Sequence, residues 1–355
     1  MNVMSNGLLV LTMAISATCG PAPEMPVYKS ASVELLDNQE EKNFYLLPLK
    51  ASVQYQQKLW SGDYWPLNQG LINFRWNSDL QESFDYYSPS PEEVATMLPE
   101  ELAQLSPAEK FDLYLGRYDY PLKEEVDSHA NRFAKDWEGI CNGWAPASLN
   151  HNEPLPKTVI NPQGIEIPFG SSDIKALLSY YYAFIHKIQD TQQMGRRCPS
   201  GRWFNWNQDC HNDLNAGSFH VVMANKVGLK NQSFLVDIDR FKEVWNHPLV
   251  GYVSRVEGEL PVDAKSPPGS VKVLKVRTKV SYVDGSQYNS WAPVRGTPLQ
   301  SVVVKEYSYN LFLNLNNEII DGAWTSQDRP DFLWIMGASK KFLGLLEELG
   351  PLLND

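Results

Sequence analysis

Leu274-Lys275-Val276-Arg277-Thr278-Lys279-Val280-Ser281-Tyr282 sets an apolar or β-branched residue at every even number and a charged or hydroxyl residue at every odd one. A period of two with one polar face marks a strand half-buried in an antiparallel sheet. Downstream, Tyr307, Tyr309, Leu311, Leu313 and Leu315 keep the same period, although Phe312 breaks the polar face. Upstream, Phe219-His220-Val221-Val222-Met223-Ala224 and Phe234-Leu235-Val236-Asp237-Ile238-Asp239 read as two more strands. Stretches 261–270 and 284–300 read as loops. Further upstream the period changes. Ser171-Ser172-Asp173 cap a run with Ile174, Leu177, Leu178, Tyr181, Ile185 and Ile188 on one stripe, which is helical spacing. Ser90-Pro91-Glu92-Glu93 and Ser106-Pro107-Ala108-Glu109 carry a Ser cap, Pro at the first helical position and acids in the first turn. Residues 26–90 have poor periodicity and many aromatics, so they read as irregular chain wrapping the rest. Helices followed by strands predict an α+β fold.

The 355 residues are 43% hydrophobic and 21% charged, ordinary for a folded protein and too apolar for a disordered one. A net charge of −11 argues against a nucleic-acid surface, which needs clustered Lys and Arg. Leu8 to Ile15 form an apolar run of signal-peptide length, followed by Ser16-Ala17-Thr18 and Cys19. The run is shorter than the ~20 residues of a membrane span. The expected organisation is a signal peptide at 1–18, an N-terminal segment or propeptide at 19–60, and a catalytic domain at 61–355. The expected location is secreted or cell envelope, with Cys19 a site for a lipid anchor.

Cys198 and Cys210 flank a short loop and would pair in an oxidising compartment. Cys141 is then left over. Taken alone it reads equally as a small buried hydrophobe. No standard phosphate, zinc-protease or serine-hydrolase motif occurs, and no metal site is expected at Cys210, His211 and Asp213.

One constellation carries chemistry. Cys141 lies between Gly139 and Gly143, which let backbone crowd a thiol as an oxyanion hole requires. A helix N-terminus and an imidazolium would lower its pKa. Pro146 sits badly in a helix begun at Cys141, and a start near Ala145 fits it better. His220, on an expected strand, would be held at a fixed angle as base. Asp237 and Asp239 share a face of the next strand, and one would orient the imidazole. Each of these also has a plain reading: a satisfied core histidine, a solvated strand face.

The chain resembles the oomycete transglutaminase elicitor family, which has marine bacterial relatives. The resemblance runs from about residue 60 to 336. It rests on Tyr64-Trp65-Pro66, Leu105 to Asp112, Gly139 to Ala147, Ser172 to Leu177, Glu318 to Trp324 and Arg329 to Trp334. Its most specific stretch is Val244-Trp245-Asn246-His247-Pro248-Leu249-Val250-Gly251-Tyr252, similar to the surface segment that plants perceive, where Gln usually stands at His247. The resemblance implies a papain-like cysteine transferase core, with Cys141 as nucleophile, His220 as base and Asp237 as the acid, Asp239 being the alternate. Asn142, where His is common, and Asp321, where Gly is common, depart from the family pattern.

The implied reaction is γ-glutamyl transfer from a protein glutamine to a lysine or small amine through a Cys141 thioester. Trp144 and Trp245 would wall the site, or serve as ordinary core anchors. Calcium dependence is implied by the resemblance alone, as the chain has no EF-hand loop. The rival readings are a papain-like deamidase or protease with the same triad, and an exported binding protein with an inactive site.

Overall fold

The computed structural model describes residues 33–354 apart from 56, 80–83, 187–190, 197–213 and 239–242. The signal-peptide stretch, Cys19, the Cys198–Cys210 pair and Asp239 lie outside the described residues. The helices are α1 (Pro91–Val94), α2 (Pro99–Leu102), α3 (Pro107–Tyr114), α4 (Pro121–His129), α5 (Cys141–Asn150), α6 (Ser171–Tyr180) and α7 (Ala216–Met223). The strands are β1 (Lys50–Ser52), β2 (Lys157–Ile160), β3 (Glu166–Phe169), β4 (Thr191–Gly195), β5 (Leu235–Asp237), β6 (Asn246–Leu260), β7 (Lys272–Val283), β8 (Val302–Leu313), β9 (Ile319–Trp324) and β10 (Phe332–Met336).

One antiparallel sheet runs β4-β10-β5-β6-β7-β8-β9, and β1 pairs with β6 beyond the end of β5. Strands β2 and β3 form a separate hairpin. The α+β expectation holds. In β7 the alternation is physical: Leu274, Val276, Thr278, Val280 and Tyr282 are buried, while Lys275, Arg277 and Lys279 are exposed. The expected helix starts at Ser90 and Ser106 are both capping boxes, each serine accepting from an amide three residues on while the Glu there returns the bond. The 33–60 stretch is packed into the whole, with Phe44, Leu47, Val53, Leu59 and Trp60 in the core.

His220 is where the expectation fails. The run 219–224 is not a strand; Ala216–Met223 is α7, all eight of its residues buried, and a π-turn continues it over Ala224–Leu229. A short apolar run that is covered on all sides has no period to read. The helix start is set by Asn215, whose Oδ1 accepts from Gly217 and Ser218 N–H at 2.8 and 3.1 Å. Asp321 in turn accepts from Asn215 Nδ2 at 2.7 Å, so this departure from the family pattern buttresses the cap. Gly322 is required here: a Cβ on it would stand 2.0 Å from Gly217 N, closing the approach of α7 to β9.

Candidate active site

α5 begins at Cys141 itself, so the helix starts earlier than Pro146 suggested. Pro146 is carried inside it. Its missing N–H would have served the carbonyl of Asn142, a residue on the exposed side of the helix. Upstream, Ile140 N–H donates to Tyr64 O at 2.7 Å, and Gly139 bridges Pro66. Gly143 lets α5 lie against α6: a Cβ there would meet Ser179 O at 2.0 Å.

The helix start rests on the sheet where β5, β6 and β10 meet. Asp237 of β5 opposes Asn246 of β6 on one side and Phe332 of β10 on the other. Opposed residues share a face, as do residues two apart, so Asp237, Asn246, Phe332 and Trp334 all belong to one face. The Cys141 thiol donates to Val244 O at 3.4 Å, and Asn246 Nδ2 donates to Cys141 Sγ at 3.6 Å. Trp334 Nε1 donates to Asn246 Oδ1 at 2.8 Å. Asp237 Oδ1 accepts from Trp245 N–H at 2.9 Å, tying down the residue between Val244 and Asn246.

Cys141 is a free, buried cysteine. Burial pushes its thiol pKa up, and the Asp237 carboxylate adds to this. The Asn246 amide and side chain and the Asn142 amide pull the other way without prevailing. The resting group is therefore a thiol surrounded by donors suited to a thiolate.

Of the residues expected to act together, Cys141 and Asp237 are neighbours, while His220 is joined to neither. Its ring is fully buried, Nδ1 lies 2.8 Å from Tyr309 Oη, and Phe44 stacks on it at 5.8 Å. Nε2 has no partner among the described residues. Burial lowers its pKa to about 4, so it is neutral at neutral pH. His247 is the other imidazole of this region. It is buried, with Nδ1 2.6 Å from Val283 O and its ring 5.9 Å from that of Trp144.

Trp144 is fully buried, packed close to Gly62 and Gly285. Trp245 is half-buried; its ring meets Tyr64 edge-on at 5.3 Å and its Nε1 donates to Glu243 at 2.9 Å. Asn246, Trp334 and the Val244 carbonyl were not foreseen as site groups. Both Asn246 and Trp334 stand inside family-like motifs, and that was the available signal.

The profile of the transglutaminase elicitor family matches residues 125–343, more than half of the chain. The chain belongs to the transglutaminase elicitor family. Among solved structures this family member is similar to the GP42 transglutaminase from Phytophthora sojae, with a TM-score of 0.67 and 21% identity, over 88% of this chain and 92% of that one. That likeness shows the fold. A search of curated proteins found no match. Among the described residues no three His, Cys, Asp or Glu side chains converge on a point. No helix among them is long and apolar enough to cross a membrane.

Proposed function

We propose that this transglutaminase elicitor family member is a protein-glutamine γ-glutamyltransferase with Cys141 as its nucleophile. The observation that carries the reading is the position of Cys141, at the first residue of a buried helix with Asn246 and Asn142 donors directed at its sulfur. The sulfur attacks the γ-carboxamide carbon of a glutamine side chain. The C–N bond breaks, and the nitrogen departs as ammonia, carrying the proton that the thiol gave up. The thioester left on Cys141 is attacked by a primary amine, which forms an isopeptide bond and returns the thiol.

Before it attacks, the resting thiol must break its hydrogen bond to Val244 O and give its proton to a base. Asp237 is the carboxylate whose charge reaches the sulfur. His220, the base assigned from the resemblance, is neutral and so competent to accept a proton. Its ring, however, sits by Tyr309 and Thr278 at the level of Ser254, eight residues along β6 from the Asn246 that meets Cys141, so acting on the sulfur would require α7 to move and not merely a change of hydrogen-bond partner. The proposed substrates are proteins, and export to the cell exterior is part of the same reading.

The test is incorporation of a fluorescent primary amine into a glutamine-rich protein, with ammonia release followed in parallel, with and without calcium. Wild type, Cys141→Ala, Asp237→Asn and His220→Gln are compared. Incorporation lost in Cys141→Ala supports the reading. Ammonia without incorporation makes the protein a deamidase, and neither product sinks the enzymatic reading. Loss of transfer in His220→Gln at an unchanged melting temperature keeps His220 in the mechanism.

A further inference from the structure

Three residues remote in sequence form one polar line: Trp334 Nε1 to Asn246 Oδ1 at 2.8 Å, then Asn246 Nδ2 to Cys141 Sγ at 3.6 Å. An indole N–H can only donate. Facing one, the Asn246 carboxamide must present its oxygen to Trp334, and its NH2 group is therefore turned to the sulfur. Without the indole, the two ends of the amide would compete for that position. Asn246 is 3% exposed, so water does not substitute for either contact.

We infer that Asn246 is a catalytic residue whose side-chain N–H stabilises the anion at Cys141, and that Trp334 is the positioning residue that fixes its orientation. In the resting enzyme the anion is the thiolate. During transfer it is the oxygen of the tetrahedral adduct, which lies within ~3 Å of the sulfur and so within reach of the same N–H. In the first turn of α5 the Asn142 amide supplies a further donor, whereas the Gly143 and Trp144 amides already donate to Ile140 O. The role in acyl transfer rests on the function proposed above, while the role at the sulfur does not.

The test separates the two. Alkylation of Cys141 by iodoacetamide, followed against pH, reads the thiol with no transfer reaction required. Asn246→Ala removes the donor without adding charge, and Trp334→Phe keeps the shape but removes the indole N–H. The expected result is an alkylation midpoint moved to higher pH in Asn246→Ala and moved less, in the same direction, in Trp334→Phe. Trp334→Phe added to Asn246→Ala has no further effect, because the indole acts only through the amide. In amine incorporation, kcat falls by about 10²-fold in Asn246→Ala with KM nearly unchanged, the usual consequence of losing one such donor. Melting temperatures identify any variant that fails to fold; the conservative Trp334→Phe then carries the test. A wild-type alkylation profile in folded Asn246→Ala, or in folded Trp334→Phe if the former is lost, overturns the inference. So does an equal shift from Trp334→Phe in the Asn246→Ala background. Absence of transfer in wild type refutes the proposed function and leaves the alkylation result to stand on its own.

Discussion

Removing the carboxylate of Glu153 should cost this protein far more than removing the lysine it pairs with. Glu153 and Lys175 are both buried and joined at 2.5 Å. The carboxylate also accepts from Val294 N–H and Arg295 N–H, each at 2.8 Å, so it anchors the 284–300 loop as well. Among the described residues Lys175 also donates to Ser61 O at 3.0 Å and has the Trp60 ring 5.1 Å away. Burial already lowers the Lys175 pKa, so the ammonium depends on Glu153. Glu153→Ala strands that charge and two amides, and breaking a buried pair from one side costs ~3–5 kcal/mol. Lys175→Met leaves a carboxylate with two backbone donors, so its cost falls to the ~1–3 kcal/mol of an incompletely satisfied group. The double variant Glu153→Ala/Lys175→Met has no stranded charge and should be more stable than Glu153→Ala alone. Urea unfolding at constant slope measures all three. A Glu153→Ala cost below ~1 kcal/mol would refute the reasoning, as would a double-variant cost equal to the sum of the singles, because the argument requires coupling.

Three further outcomes follow from packing and burial. Gly143→Ala puts a methyl 2.0 Å from the Ser179 carbonyl, backbone that cannot swing aside, so α5 and α6 must part. A loss of ~3 kcal/mol or more is expected in thermal or urea unfolding, and wild-type stability would show that the helices do not meet there. His220 is held near pKa 4 against an ordinary 6.5, so below pH 6.5 the unfolded chain binds a proton that the folded chain refuses. Its contribution is lost as pH falls from 6.5 to 4, up to ~3 kcal/mol in all. Asp63 and Asp112, raised to about 6 and about 7, act with the opposite sign, which is why the check is the slope difference between wild type and His220→Gln over that window. An identical slope in the variant contradicts a buried neutral imidazole. Asn215→Ala removes the cap of α7 and should cost ~1–2 kcal/mol by urea unfolding; no change would mean the α7 start is held by its packing on β9 alone.

The alternation in β7 and the capping boxes at Ser90 and Ser106 were legible because they depend on local spacing: side chains that alternate across a strand, and a serine three residues from a glutamate. Cys141 was legible as a candidate from its flanking glycines, and Asp237 proved to be its neighbour. The sequence by itself therefore determined the fold class, the starts of α1, α3 and α6, the strand character of β5, β7 and β8, and one candidate nucleophile. It misread 219–224, because an apolar segment buried on every side has no polar face to reveal its period, and a strand and a core helix look alike. With His220 on α7, the pairing with Cys141 that chain order suggested is absent from the resting arrangement. Asn246 and Trp334 lay in recognised motifs, but nothing local says that they meet each other 88 residues apart, or that Asn246 reaches a cysteine 105 residues upstream. Those contacts were decided by the tertiary structure, through the register in which β10, β5 and β6 pair beneath the start of α5.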